Sequence, residues 1–278
     1  MEYRPLISVI IPTYNAQHYI GQTIQSVLQQ SYTNWELLIV DDCSTDSTTD
    51  VVSALAAHDR RICLMSLKAN SNLPAVPRNR GVSEARGDLI AFLDHDDLWF
   101  KHKLRRHVLA HKHNQDLAMT HSVLMDFPGK FTSRAIISLP TPDRPMTSAT
   151  RLRAWNTVTC SSTVVKADVL AFLGPFNESP DLRAIEDYEL WLRIADQFRI
   201  GFIPEVLGLY RVSSVGTYSP AAAAEQLKFL ESKWQIQVSA NRYRRPISKV
   251  AMGRARAFWH YGVAGPLRTY FDYRPHVF

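Results

Sequence analysis

The chain has 278 residues, 46% hydrophobic and 21% charged, which is ordinary globular usage and long enough to bury one large domain or two small ones. Its three cysteines, Cys43, Cys63 and Cys160, stand far apart, which argues for a reducing compartment and against a disulfide framework or a zinc site. The formal charge of +6 is uneven, with the basic excess falling beyond residue 220 on a nearly neutral body.

The chain opens on a short apolar strand, Ile7–Ile11, that ends at Pro12 and carries no signal-peptide pattern. No run approaches the length needed to span a bilayer, so the expected location is cytoplasmic. After the Pro12-Thr13-Tyr14-Asn15 turn, Tyr19, Ile20, Ile24, Val27 and Leu28 recur at helical spacing. Trp35–Val40 reads as a second buried strand ending on Asp41-Asp42, and Val51, Val52, Leu55 and Ala56 as a helix behind the cap residues Ser44–Ser47. Arg61–Ser66 reads as a third strand, Pro77–Ala85 as a short helix with a basic start, and Leu89–Leu93 as a fourth strand. This alternation predicts an α/β fold, a doubly wound parallel sheet with right-handed crossovers. Beyond it the spacing predicts a helix over Lys101–Lys112, strands over Leu117–Met125 and Val158–Val165, and a helix over Ala167–Leu173. The Pro-, Ser- and Thr-rich residues 126–149 read as loop.

The fourth strand stops on Asp94-His95-Asp96-Asp97, three carboxylates in four residues. Carboxylates this close repel one another and call for a cation. Mg²⁺ held by one or two carboxylates and a substrate's phosphates would serve. The plainer reading is an acidic turn capping the next helix, and for Asp41-Asp42 a turn before a helix; ligands, however, gather at the carboxyl ends of such strands. No G-x-G-x-x-G follows the first strand and no P-loop occurs anywhere, so phosphates are not cradled by either turn. Glu186 and Asp187 fall in the first turn of an apolar-faced helix, where the helix dipole alone favours carboxylates. The same position would keep a general base ionised and fixed in direction.

Together these segments resemble the family 2 glycosyltransferases of GT-A fold. The matching pieces are Ser8–Asn15, Trp35–Thr48, Arg78-Asn79-Arg80-Gly81, Gly87–Asp97 and Ile185–Arg193, in order over residues 6–212. The resemblance implies a nucleotide-sugar donor, most simply a UDP-sugar, an inverting transfer and Mn²⁺ or Mg²⁺. It implies that Pro12, Thr13, Tyr14, Asn15 and Asp41 line the nucleoside pocket, Asp41 on the base, with Arg78 near the donor and Asp94 on the ribose side. Asp96 would bind the metal, Asp187 would be the catalytic base, and Glu186, Trp191 and Arg211 would contact acceptor or phosphate. Ser213 stands where many relatives carry a His after Tyr210-Arg211, which leaves the metal shell incomplete. A cell-surface polysaccharide or lipopolysaccharide pathway, with a saccharide or lipid-linked acceptor, is the expected setting.

The catalytic domain is expected over residues 1–215, its nucleotide-sugar half to about 115 and its acceptor half from 116, with a helical extension over 216–278. That extension interleaves Arg with Tyr, Phe and Trp, which suits a helix pair packed on the domain, peripheral membrane contact or, last, nucleic acid. Two rival functions remain open: a GT-A-fold nucleotidyltransferase, and a non-catalytic nucleotide-sugar or nucleic-acid binder. Pro12–Asn15 is not the Gly-rich basic loop of the first, and the presence of both Asp96 and Asp187 argues against the second.

Overall fold

The computed structural model describes residues 3–127, 136–137, 146–147, 149–154, 156 and 158–212. Expectations for Ser213, for the extension at 216–278 and for much of the 126–149 loop lie outside these residues.

The chain begins with β1 (Ile7–Thr13), α1 (Ile20–Leu28), β2 (Trp35–Asp41), α2 (Thr48–Ala56), β3 (Ile62–Ser66), α3 (Ala75–Glu84) and β4 (Leu89–Phe92). These four strands lie in the order β3-β2-β1-β4, all parallel. β1 and β2 are buried at every residue, because helices cover both faces, and so each reads as a continuous apolar run. Alternate side chains serve two cores: Ile10 and Phe92 face one layer, while Ile7, Val9, Ile11, Leu37 and Ile39 face the other. α3 lies so close to β1 that a Cβ on Gly81 would sit 2.5 Å from Ile10 Cγ2. Glycine there lets the helix bring Arg78 to the strand ends.

The second half adds β5 (Leu98–Trp99), α4 (Lys103–His113), β6 (Leu117–Phe127), β7 (Ile136–Ile137), β8 (Met146–Thr147), α5 (Ala149–Ala154), β9 (Thr163–Lys166), α6 (Ala167–Leu173), α7 (Glu186–Gln197) and β10 (Arg199–Arg211). The sheet continues β4-β9-β6-β10-β5, with β9 antiparallel to both neighbours and β10 parallel to β6. The result is one mixed, mostly parallel sheet running through both halves, the α/β architecture expected.

Three local expectations need correction. Val158–Val165 is not one strand: a single 3-10 turn, Cys160–Ser162, precedes β9. The long strand β10 was not anticipated, and neither was the two-residue β5. β10 hides because Gly201, Pro204, Glu205 and Gly208 break its apolar pattern, and its pairing with β6 shifts register between Ile203 and Gly208. The acidic strand end does not cap α4, whose cap residue is His102 and carries no side-chain cap bond.

Candidate active site

The carboxyl ends of β1, β2 and β4, the start of α7 and the end of β10 converge on one edge of the sheet. Arg78 is the hinge of this edge. Its guanidinium donates at 2.7 Å to Asp94 Oδ1, beyond the end of β4, and at 2.5 Å to Glu186 Oε1, at the start of α7. Arg78 and Glu186 are buried while Asp94 is partly open, so the bridge runs from the rim into the core. A buried charge is tolerated only when paired in this way. Arg78, Asp94 and Glu186, separately singled out in the sequence, are therefore one unit.

The acidic loop itself is held from below. The Asp94 N–H donates to Ser161 Oγ at 2.9 Å, and the His95 carbonyl accepts from the Thr23 hydroxyl at 2.8 Å. Asp97 is fully buried and its Oδ1 accepts the Arg211 N–H at 2.8 Å, while Arg211 Nε–H donates to the Asp96 carbonyl at 2.8 Å. Arg211 also packs over Tyr19 and Phe127, each ring centroid 4.6 Å away, and is only 6% exposed. It clamps the loop from within the protein. Burial, and then Asp94 and Asp96, push the Asp97 carboxyl well above the carboxylate range. Burial also raises Asp96, with Asp94 adding to the effect and His95 opposing it.

Asp187 opens α7 beside Glu186. Burial first, and Glu186 second, push its carboxyl up to about 7, while Arg78 and the Tyr188 N–H pull the other way. The Tyr188 N–H donates to Asp187 Oδ1 at 2.7 Å and fixes the direction of the carboxylate. Ala184, two residues before Glu186, has φ +71°, a left-handed turn that costs an alanine about 1 kcal/mol and swings the helix start onto the sheet edge.

On the nucleoside side, both oxygens of Asp41 accept from Ser44, one from its N–H at 3.0 Å and one from its hydroxyl. Asn15 has φ +47° and accepts the Thr45 N–H on Oδ1 at 2.8 Å. These bonds tie the two strand-end turns together into one wall. Thr13 Oγ1 is buried there without a hydrogen-bond partner. Tyr14 is 42% exposed and stands at the mouth. Pro12 presents its carbonyl 3.4 Å from His95 Nδ1.

One expectation fails. Trp191 is fully buried and packs against Phe92 and Phe176, with ring centroids 6.4 and 6.2 Å away. It belongs to the core beneath the site and contacts neither acceptor nor phosphate. Two residues that the sequence did not single out line the site. Ser161 holds the Asp94 peptide, and Tyr210, 39% exposed, has its phenol held well above the ordinary tyrosine value by burial and by the charges of Asp97, Asp94, Asp96 and Asp187. The signal for Ser161 was the Cys160-Ser161-Ser162 triplet, which reads as plain strand. Burial keeps the Cys160 thiol protonated, so it is no nucleophile.

Among the described residues, no group of three or more His, Cys, Asp or Glu side chains could cage a metal. The acidic loop nonetheless fits an ion that arrives with a phosphate ligand. Asp97 Oδ2 is buried without a partner, and the raised carboxyls of Asp96 and Asp97 call for positive charge. Mg²⁺ and Mn²⁺ sites of this type need only one or two carboxylates besides the phosphates.

Comparison with known proteins agrees with this architecture. The model for "Glycosyl transferase family 2" matches residues 8–169. The putative teichuronic acid biosynthesis glycosyltransferase TuaG of Bacillus subtilis is 49% identical over 104 residues, which span 37% of this chain but only 41% of TuaG. The UDP-Glc:alpha-D-GlcNAc-diphosphoundecaprenol beta-1,3-glucosyltransferase WfgD of Escherichia coli is 30% identical over 276 residues, 97% of each chain. Among solved structures, S. aureus TarS in complex with UDP-GlcNAc superposes with TM-score 0.68 at 20% identity, covering 85% of this chain and 68% of that one. The mannosyltransferase PcManGT from Pyrobaculum calidifontis, in complex with GDP-Man and Mn²⁺, gives TM-score 0.67 at 21% identity over 93% of this chain and 70% of that one. With the family model matched over residues 8–169 and its sheet superposing on these structures, the chain has the GT-A fold and belongs to glycosyl transferase family 2.

Proposed function

We propose that the protein transfers a hexosyl group, with inversion, from a nucleotide-diphosphate sugar to an acceptor hydroxyl, and that the donor is a UDP-sugar. The observation that carries this reading is Asp187, a partly buried carboxylate poised near neutral pH and linked through Glu186 and Arg78 to the acidic strand end. A base that titrates close to working pH accepts a proton most effectively in the transition state. Asp187 takes the acceptor hydroxyl's proton as that oxygen attacks the anomeric carbon from the face opposite the diphosphate. No covalent intermediate forms, which agrees with a protonated, buried Cys160. Asp96 holds the divalent ion, Mn²⁺ or Mg²⁺, which when bound supplies positive charge to the departing diphosphate. Asp94 and Arg78 sit on the ribose side, and Thr13 Oγ1, orphaned in its wall, offers the nucleoside a hydrogen bond beside Pro12, Tyr14, Asn15 and Asp41.

The printed activity of WfgD and the nucleotide sugars bound by TarS and PcManGT support a nucleotide-sugar donor, and WfgD's diphosphoundecaprenol substrate supports a lipid-linked acceptor in polysaccharide assembly. Encounter with such an acceptor would be at the cytoplasmic face of a membrane; no helix among the described residues is long and apolar enough to cross one. The test is a panel of UDP-, GDP- and dTDP-sugars with Mn²⁺, following release of nucleoside diphosphate. Release from a UDP-sugar is expected; a panel in which no donor is bound or slowly hydrolysed would overturn the reading.

A further inference from the structure

Beneath the acidic strand end lies a polar seam that the proposed chemistry leaves unused. Lys103, His107 and His111 recur every four residues along α4, share one face of it and are fully buried. Thr120 and Ser122 of β6, two residues apart, face them. Lys103 Nζ lies 2.9 Å from the Ser162 carbonyl, 3.2 Å from Ser122 Oγ and 3.1 Å from His107 Nε2. Beyond it, His107 Nδ1 is 2.8 Å from Thr120 Oγ1, which is 3.2 Å from His111 Nε2. No carboxylate is among these contacts, and burial alone drives the amine well below its ordinary pKa. An unpaired ammonium in this place would be far costlier than a neutral amine. Lys103 donates to the Ser162 carbonyl and to Ser122 Oγ, and hydrogen bonds between Lys103 and His107, His107 and Thr120, and Thr120 and His111 join the seam into one chain.

Ser162 ends the Cys160–Ser162 turn, and the turn touches the site. The Ser161 carbonyl accepts the Trp99 indole N–H at 2.8 Å, and the Ser161 hydroxyl accepts the Asp94 N–H. We propose that Lys103 is a positioning residue of the donor site: its hydrogen bond to the Ser162 carbonyl holds the Cys160–Ser162 turn, and the turn holds the Asp94 peptide and so the direction of Asp96. This rests on the reading of Asp96 as the residue that meets the diphosphate-bound ion.

The test is calorimetric binding of UDP to the full chain, with Mn²⁺ and with chelator, for wild type, Lys103→Met, Ser161→Ala and Thr120→Val. Lys103→Met should weaken Mn²⁺-dependent UDP binding by about tenfold or more, the usual cost of losing an outer-shell support, and leave chelator-insensitive UDP binding unchanged. Ser161→Ala, which removes a single oxygen atom, should reproduce that loss and carries the test if the methionine variant does not fold. Thr120→Val breaks the seam away from the turn; it should lower the melting temperature and keep Mn²⁺-dependent affinity near wild type. Wild-type-like Mn²⁺ dependence in Ser161→Ala, or an equal loss in Thr120→Val, would overturn the inference. A wild-type chain whose UDP affinity ignores Mn²⁺ would instead remove the Asp96 reading, and this inference with it.

Discussion

The two halves of the sheet bury their polar groups in different places. In β1, β2 and β4 most of them gather at the carboxyl ends, at Thr13, Asp41 and Asp42, with the half-buried Asp94 beside them, while the strand bodies are apolar. Within those strands the exception is a satisfied pair, with Ser8 Oγ donating to Glu36 at 2.6 Å and Arg86 closing over the same carboxylate. In the second half, polar side chains sit in mid-element: His107, Thr120, His121 and Ser122 are all buried within the bodies of α4 and β6, and Lys103 is buried at the start of α4. A polar group at a strand end can meet a ligand, but one inside must be matched by protein. The strands of the first half are thus a dry frame with their chemistry at the rim, and the second half is shaped from within.

If the halves divide the work as proposed, donor and ion belong to the first and the proton to the second. The sharpest break would come at Asp187. Asp187→Asn should lower kcat by about 10²–10⁴-fold, the usual worth of a general base, while UDP-sugar affinity by calorimetry stays near wild type. Lost donor affinity would move Asp187 to the donor side. Trp191, one helical turn further along α7, should behave in the opposite way. Trp191→Ala should destabilise the fold by about 3–5 kcal/mol, read in urea unfolding, with the apparent KM of the folded fraction for acceptor unchanged. On the first half, Asp96→Ala should weaken Mn²⁺-dependent UDP binding by at least about tenfold; unchanged metal dependence would remove its role as ligand.

The smallest effects should come from pH. With Asp187 titrating at about 7, kcat should rise as pH passes through that value and level off above it. The stability effect has the opposite slope. The folded pKa lies above the unfolded value of about 3.9, so the proton's contribution is present below that value and lost as pH rises through about 7. Asp187→Asn should therefore melt a few degrees above wild type at alkaline pH, with the gap closing near pH 4, in thermal scans.

The rim was legible in the sequence because unbroken apolar runs such as Leu89–Leu93 stop abruptly on carboxylates, and position along a parallel strand dictates which edge they reach. Arg78 and Glu186 were visible as candidates, but nothing in their spacing announces that they pair, since that contact is made only by tertiary folding. Trp191 was misplaced because an aromatic on an amphipathic helix start looks the same whether it faces a ligand or a core. The seam along α4 escaped because Lys103, His107 and His111 at helical spacing resemble a solvated face, and only the packing of α4 on β6 shows otherwise. Ser161 was hidden by the same limit: its value lies in a hydrogen bond to a residue 67 positions away.

The Arg78–Glu186 bridge joins residues 108 positions apart, and this has a consequence for birth of the protein on the ribosome. At typical synthesis speeds of about 5–20 residues per second, Glu186 emerges roughly 5–20 s after Arg78. During that interval the nascent first half can assemble its parallel strands, yet Arg78 has only Asp94 for company and the rim is unfinished. The rim is therefore completed late in translation, when α7 arrives, and a chain interrupted before that point would lack both Glu186 and the proposed base Asp187.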